Sequence, residues 1–452
     1  MWLRYQLARP EGVAIGVVHG TVLEATGKRG RTHFDTTNPR IAQILANLDQ
    51  EDISEVELYA IAAVLGAQQL QDVLNESLSA LKRVQALNYV VCFGRQTLAR
   101  ILPLGKRAFW DRKLRHPSSR WILCTEAYFR VGKQGLHIHS PNACAEVIVE
   151  PSFASQLMAW VCDPCACASP SHPAVHLLQQ VLADTGHLTA GGRPVDARGV
   201  LWSFPDLLFH STSRMGHEWG GFGRRTRVPH PPIAKRSSRV LSSIDLRAVL
   251  ALRPRSDATF TTILAARRSR RYPAAKPLSL PELASVLSLA AEPIATDDPS
   301  VLWRYPYPSG GGIYGYHIYI AIHRCLDLDP GLYRHNAEDR TLERLEAPPS
   351  QIEQLVTHCA SALGLDSAKP DTVLILTADI AEFSASYDAI AYRLVILGAG
   401  CLIQNLSLAA SALGLAGCAV GGCSPILFTE IVGADPLYEP SVAEFALSGG
   451  AV

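Results

Sequence analysis

The sequence predicts an α+β chain in which two small winged-helix-like units precede a larger α+β domain. Three observations carry this expectation. Short strand-like runs followed by helical periodicity occur twice within the first 190 residues. A stretch from 191 to 252 then loses periodicity and gathers glycine, proline and arginine. From about 253 onward, capped helices alternate with strand signals and end in a long, nearly all-apolar helix. The expected boundaries are 1–117, 118–190, a linker at 191–252, and 253–452.

In the first unit, Val13 to Val18 and Val22-Leu23 read as strands. Ile41, Ile44, Leu45 and Leu48 recur at helical spacing, as do Leu58, Ile61, Ala62 and Leu65, and then Leu74, Leu78, Leu81 and Val84. In the second unit, Leu136 and Ile138, then Ala145, Val147 and Val149, alternate as strands do. Helices follow at Phe153 to Val161 and at Pro173 to Asp184, the latter opened by proline and stopped at Gly186. The centre of the linker is basic through Arg224, Arg225, Arg227, Lys235, Arg236 and Arg239. It reads either as an exposed connector or as a strip that docks an acidic peptide or the surface of the C-terminal domain.

In the third region, Ser256 or Asp257 caps a helix whose inward face is Phe260, Ile263 and Leu264. Ser279 and Glu282 form a capping box, with Pro281 in the first turn and Leu283, Val286, Leu287 and Ala290 on one face. Strands are expected at Ile318 to Ile322 and Val373 to Leu376. Between Ala389 and Leu413 the helix has no polar face, which places it in a domain core or a dimer interface.

Charge excludes several classes of function. With 42 basic and 41 acidic residues and a net charge of +1, the chain lacks the basic excess of a nucleic-acid binder. Only eight of the basic residues are lysines, so thirty-four are arginines. Eleven cysteines are too few for a disulfide scaffold, and reduced thiols in a cytoplasmic protein are expected. The N-terminus has no signal peptide, and the most apolar run, Leu394 to Ile403, is too short to span a bilayer.

Four motifs are candidates for chemistry. Arg267-Arg268-Ser269-Arg270-Arg271 follows an amphipathic helix; alternate members Arg267, Ser269 and Arg271 can surround a phosphate dianion, or the segment is a solvated turn. Pro308-Ser309-Gly310-Gly311-Gly312 leaves backbone N–H groups open to a flat heterocycle or an anion. Its G-x-G-x-x-G spacing is not a dinucleotide fingerprint, because no buried strand precedes it and a strand, not a helix, follows. Gly417 to Gly422 either faces a ligand or turns a helix into a strand. Cys162-x-x-Cys165-x-Cys167 with His172 matches no common zinc spacing, so no metal site is expected.

In order along about 190 residues, several motifs resemble the SagB-type, thiazole/oxazole-forming dehydrogenases of the FMN-dependent nitroreductase superfamily. These are Ile263-Leu264 through Arg271, Leu278 to Leu283, Tyr307-Pro308-Ser309-Gly310-Gly311, Pro330-Gly331-Leu332-Tyr333, Ser386-Tyr387 with Ala391-Tyr392-Arg393, and Gly400 with Gln404-Asn405-Leu406. The linker resembles that family as well, through Trp202, Asp206 to His210 and Ser213-Arg214-Met215-Gly216. Longer members carry winged-helix-like peptide-recognition modules.

The resemblance implies a nitroreductase-like fold with an antiparallel-rich sheet, and FMN held at the interface of a domain-swapped homodimer. Arg267, Arg268, Ser269 and Arg271 match the phosphate and ribityl contacts. Pro308, Ser309, Gly310 and Gly311 match the loop beside the isoalloxazine, with Gln404, Gly421 and Gly422 completing the cofactor set. The implied activity is oxidation of thiazoline or oxazoline rings of a precursor peptide, with a cyclodehydratase as partner. Tyr387 and Ser386 occupy the catalytic positions. Such dehydrogenases usually carry Lys-Tyr where this chain has Ser386-Tyr387, and an arginine and a histidine are common where it has Ile313 and Cys401. A phenol is a weak base without a neighbouring cation, so two other functions stand beside the first: a flavin oxidoreductase acting on another peptide or carrier-bound intermediate, or a non-catalytic scaffold.

Overall fold

The computed structural model describes residues 5–10, 13–27, 30–48, 53–65, 68–83, 86–104, 121–124, 127–140, 143–162, 172–190, 203–213, 238–250, 259–295, 304–365, 367–387, 390–422 and 424–450. The chain divides into two compact units, Met1–Phe222 and Gly223–Val452.

The N-terminal unit contains β1 (Gln6–Ala8), β2 (Ala14–His19), β3 (Val22–Gly27), β4 (Gly30–Asp35), α1 (Pro39–Ala46), α2 (Glu55–Val64) and α3 (Gln68–Arg83). It continues with β5 (Asn88–Phe93), β6 (Gln96–Pro103), β7 (Trp121–Leu123), β8 (Tyr128–Gly132), β9 (Gly135–His139), β10 (Ala145–Val149), α4 (Pro151–Cys162), α5 (Pro173–Asp184), β11 (Leu188–Ala190) and α6 (Phe204–Thr212). The expected helices are present, and α2 opens with a capping box from Ser54 and Glu57.

The expected division at 117 differs from what the chain builds. One six-stranded sheet, ordered β1-β5-β6-β10-β9-β8, draws strands from both sides of that boundary. β10 pairs along β6 from Ala145 opposite Pro103 to Val149 opposite Ala99, and a single core joins Leu45, Leu81, Ile101, Val147 and Leu178. The reason is geometric: β6 and β10 each bury one face, and pairing with each other removes two unprotected edges.

The C-terminal unit begins with β12 (Val240–Asp245), inside the segment expected to be a linker. This strand pairs antiparallel with β15 and makes the sheet's edge. There follow α7 (Phe260–Ala266), α8 (Leu280–Ala291), β13 (Tyr316–Ile322), β14 (Gly331–Asn336), β15 (Thr341–Leu345), α9 (Pro349–Ala362), β16 (Thr372–Ala378), α10 (Ile380–Ser386), α11 (Ala391–Ala412), β17 (Ala416–Val420), α12 (Pro425–Val432) and β18 (Ser441–Ser448). The sheet order is β12-β15-β14-β13-β16-β18-β17, and every pairing is antiparallel. One face packs on α8 and α11 through Leu283, Leu287, Leu374, Val395 and Leu402. The other packs on α9 and α12 through Ile352, Val356, Ile375 and Phe428.

The capping box at Ser279 and Glu282 forms as expected. Asp371, fully buried, knits the loops at the sheet's end by accepting from Leu278 N at 2.8 Å and Gly449 N at 2.9 Å and pairing with Arg324.

Two helices depart from their expected burial. α7 starts at Phe260 and is capped by Thr259, not by Ser256 or Asp257, which lie outside the described residues, and Phe260 and Leu264 are exposed at 67% and 43%. α11 runs for 22 residues, long and apolar enough by composition to cross a membrane. It instead lies against the sheet through Val395, Leu402 and Leu406, while Tyr392, Ile396 and Leu397 stay exposed.

Candidate functional site

α11 organises the candidate site, because both ligand-type motifs of the C-terminal unit lie along it. At its N-terminal end, the glycine loop comes close: a Cβ on Gly310 would sit 2.9 Å from both δ-methyls of Leu394. Gly311 adopts φ +65°, a left-handed conformation that favours glycine. A Cβ there would fall inside 3.0 Å of the Tyr387 phenol oxygen and 3.0–3.1 Å from its ring carbons. The loop and the tyrosine, 76 positions apart in sequence by their numbers, are thus in direct contact.

Tyr387 ends α10. Its backbone N–H closes the last turn onto Phe383 O at 2.9 Å, and its side chain is half-buried, with no hydrogen bond from the hydroxyl among the described residues. Ser386 is buried at 5% exposure, so the two adjacent candidates face different surroundings. Ser309 caps the loop by donating to Ile313 O, while Pro308 is exposed.

An aromatic wall supports the loop. Tyr305 and Tyr314 have ring centroids 4.6 Å apart, Tyr307 and Tyr316 6.0 Å, and Tyr316 and Phe383 5.5 Å. Tyr316 donates to Val395 O at 3.0 Å, a contact that requires Gly398, where a Cβ would press on the phenol. Burial pushes the Tyr316 phenol up to about 12, against a lowering hydrogen bond from Ser309, and burial also raises Tyr307. These phenols stay protonated and serve as scaffold. Asn405, next to the exposed Gln404, donates to Pro306 O at 2.8 Å and fixes the loop's approach along the helix. The sequence reading did not single out Tyr316 or give Asn405 a role, since both act through partners 79 and 99 residues away.

The arginine segment is at the other end of α11. Arg268 and Arg270 line a small cavity with Ser407, Ala410, Ser411, Gly414 and Gly417, and Arg270 N donates to Gly417 O at 3.0 Å. Arg268 also donates to Ala265 O and Arg267 O at 2.9 and 3.0 Å, which spends its guanidinium on backbone. Arg267, Ser269 and Arg271 do not line that cavity. Among the described residues, none of the four arginines pairs with a carboxylate. Arg267, Ser269 and Arg271 offer two guanidiniums and a hydroxyl, a donor set that suits a phosphate dianion.

Gly417 lies in β17, where a Cβ would strike Phe445 and Ala410; it is a packing glycine. Gly421 and Gly422, just beyond that strand, are exposed with open space at the Cβ position. Of the cysteine cluster, Cys165 and Cys167 lie outside the described residues, as do Trp202 and Arg214. His172 caps α5 by accepting from Ala174 N.

Comparison with known proteins finds similarity in the C-terminal part of the chain. Residues 264–445 match the nitroreductase family model. Over 162 residues, 35% of this chain and 76% of the relative, the chain is 28% identical to a protein described as a nitroreductase of Methanocaldococcus jannaschii. Among solved structures it is similar to a nitroreductase-type protein from Anabaena variabilis at 21% identity and TM-score 0.33, over 48% of this chain and only 40% of that one. It is also similar to a chain of the E. coli microcin synthetase McbBCD complex with truncated pro-MccB17 bound, at 20% identity and TM-score 0.34, over 45% and 77% of the two chains. A third is a nitroreductase-type protein in complex with FMN from Desulfovibrio desulfuricans, at 15% identity and TM-score 0.29, over 44% and 89%. The match to the nitroreductase family model covers only the C-terminal part of the chain, and that family is FMN-dependent.

Proposed function

We propose that this chain is a cytoplasmic FMN-dependent dehydrogenase that oxidises thiazoline or oxazoline rings in a precursor peptide, working as a homodimer beside a cyclodehydratase. The observation that carries the reading is the separation of the two half-sites. Leu394, beside the glycine loop, and Ala410, beside the arginine segment, are both on α11. At 1.5 Å per residue they are roughly 24 Å apart along its axis, farther than the short ribityl chain of one FMN reaches. A second copy with α11 antiparallel to the first would bring one chain's arginines to the other's loop, twice, by two-fold symmetry. The uncovered Tyr392, Ile396 and Leu397 supply the apolar surface for that contact.

In this arrangement Arg267, Ser269 and Arg271 hold the phosphate, with Arg268 bracing the segment. Ser309, Gly310 and Gly311 present backbone to the ring, Pro308 and Gln404 border it, and Gly421 and Gly422 leave room for close approach. When bound, FMN supplies the hydride acceptor. Tyr387, held against Gly311, would take the substrate's ring proton in its phenolate form while hydride leaves for the bound flavin, so that the azoline loses two hydrogens and becomes an azole. Ser386, buried beside it, brings no ammonium to help the phenol. This favours, as a second reading, the same flavin chemistry on a different peptide or carrier-bound substrate.

The test is to isolate the yellow protein, incubate it with a synthetic thiazoline peptide and record the mass. A loss of two hydrogens that falls about 10²- to 10⁴-fold in rate in Tyr387→Phe, at unchanged flavin content, is the expected result. Flavin reduction by other donors without any azoline conversion would select the second reading, and colourless protein that takes up no FMN would refute both.

A further inference from the structure

A different chemistry is assembled in the N-terminal unit, on the face of the six-stranded sheet opposite its core. His137 and His139 stand two residues apart on β9 and so point to one face, while Leu136 and Ile138 enter the core. Glu146 on β10 falls opposite His139 by the register that sets Val147 against Ile138. Glu146 Oε1 lies 2.5 Å from His137 Nδ1 and 3.5 Å from His139 Nε2, and the three ligand-type atoms are all within 4.8 Å of one another. The side chains are 12%, 3% and 14% exposed for His137, His139 and Glu146, so the cluster is recessed yet open on one side.

The surroundings fix the geometry. Tyr128 stacks on His139 with centroids 4.9 Å apart, and Phe204 of α6 meets Tyr128 edge-on at 5.8 Å. Arg130 on β8 stands across from His137 in the sheet. Arg130 itself is exposed, which screens its repulsion of a cation. A hydrogen bond explains the His137–Glu146 pair alone. It does not explain why a second imidazole is clamped toward the same carboxylate oxygen.

We propose that His137, His139 and Glu146 form a site for a divalent transition-metal ion of the zinc type, joining β9 to β10 and completing its coordination with water. Two imidazoles and one carboxylate are a borderline donor set that suits such ions, and a three-ligand set leaves an exchangeable position. The ion replaces the proton between His137 Nδ1 and Glu146, and these atoms open to about 3.3 Å, the spacing of tetrahedral ligands near 2.0 Å from zinc. The proposal is independent of the flavin site.

The test uses the full chain stripped with chelator and titrated with ZnCl2 by calorimetry and with Co2+ by absorption. One saturable equivalent per chain is expected, with visible cobalt bands, no thiolate charge-transfer band and a rise in melting temperature on adding zinc. Glu146→Gln, which preserves volume, should weaken zinc at least about tenfold with the metal-free melting temperature little changed; His137→Ala should do the same. Cys162→Ser/Cys165→Ser should leave binding intact. Absence of saturable binding, undiminished affinity in Glu146→Gln, or a thiolate band abolished by the cysteine variant would each overturn the proposal.

Discussion

Gly311→Ala tests the contact on which the catalytic assignment depends. The added methyl meets the Tyr387 phenol oxygen inside 3.0 Å and its ring carbons at 3.0 and 3.1 Å, distances that real Cβ contacts do not hold. Since the phenol is the far end of a side chain, the cheapest relief is for the ring to swing away. The backbone also pays for a non-glycine residue at φ +65°, about 1 to 2 kcal/mol. Stability should therefore fall by about that amount, measured by urea denaturation. Azoline oxidation should fall much further, by about a hundredfold for an ångström-scale misplacement of the reacting group, with flavin absorbance unchanged. In a Tyr387→Phe background the oxygen is gone, so adding Gly311→Ala should cost the backbone term and the milder contact with the ring carbons, but little further activity. Wild-type turnover in Gly311→Ala, or an equal activity loss in both backgrounds, would refute the idea that this glycine acts by placing the phenol.

Other perturbations read the remaining parts. Arg267→Ala or Arg271→Ala should each weaken FMN by about 1.5 to 3 kcal/mol, the range for hydrogen bonds to charged groups, in a fluorescence titration. Arg268→Ala should weaken it less, because its guanidinium already binds Ala265 O and Arg267 O. Ile396→Asp, on the uncovered stripe of α11, should convert a dimer to monomer in analytical ultracentrifugation and release flavin with it. His335, buried on β14 with no hydrogen bond to Nε2 among the described residues, is pushed by burial from 6.5 down to about 4. The unfolded chain therefore binds the extra proton, and the stability fully present above pH 6.5 should decline by about 3 kcal/mol as pH falls toward 4. His335→Leu should flatten that slope in pH-dependent denaturation.

Much of this protein was legible locally. The capping box at Ser279 and Glu282 follows from residue types three apart, and the order of helix and strand around the glycine loop follows from periodicity and glycine content. Short-range preferences of this kind depend on neighbours in sequence, so the chain alone declares them. The inward face expected for α7 is exposed, and α11 left open whether a domain core or a dimer interface covers it, because an apolar face says that something covers it and not whether the cover belongs to the same chain.

Long-range pairing was not legible. The sequence by itself determined many of the helices and strands, though not α6 and β12 within the expected linker, and where arginines and glycines concentrate. Only the tertiary structure decided that β6 and β10 close one sheet, that Gly311 meets Tyr387, and that the arginine segment lies at the far end of α11 from both. It also decided that Glu146 lies beside His137 and His139. The physical reason is the same in each case: a strand's period of two and a helix's rise fix which way a side chain points, but its partner is chosen by register and packing between segments distant in the chain.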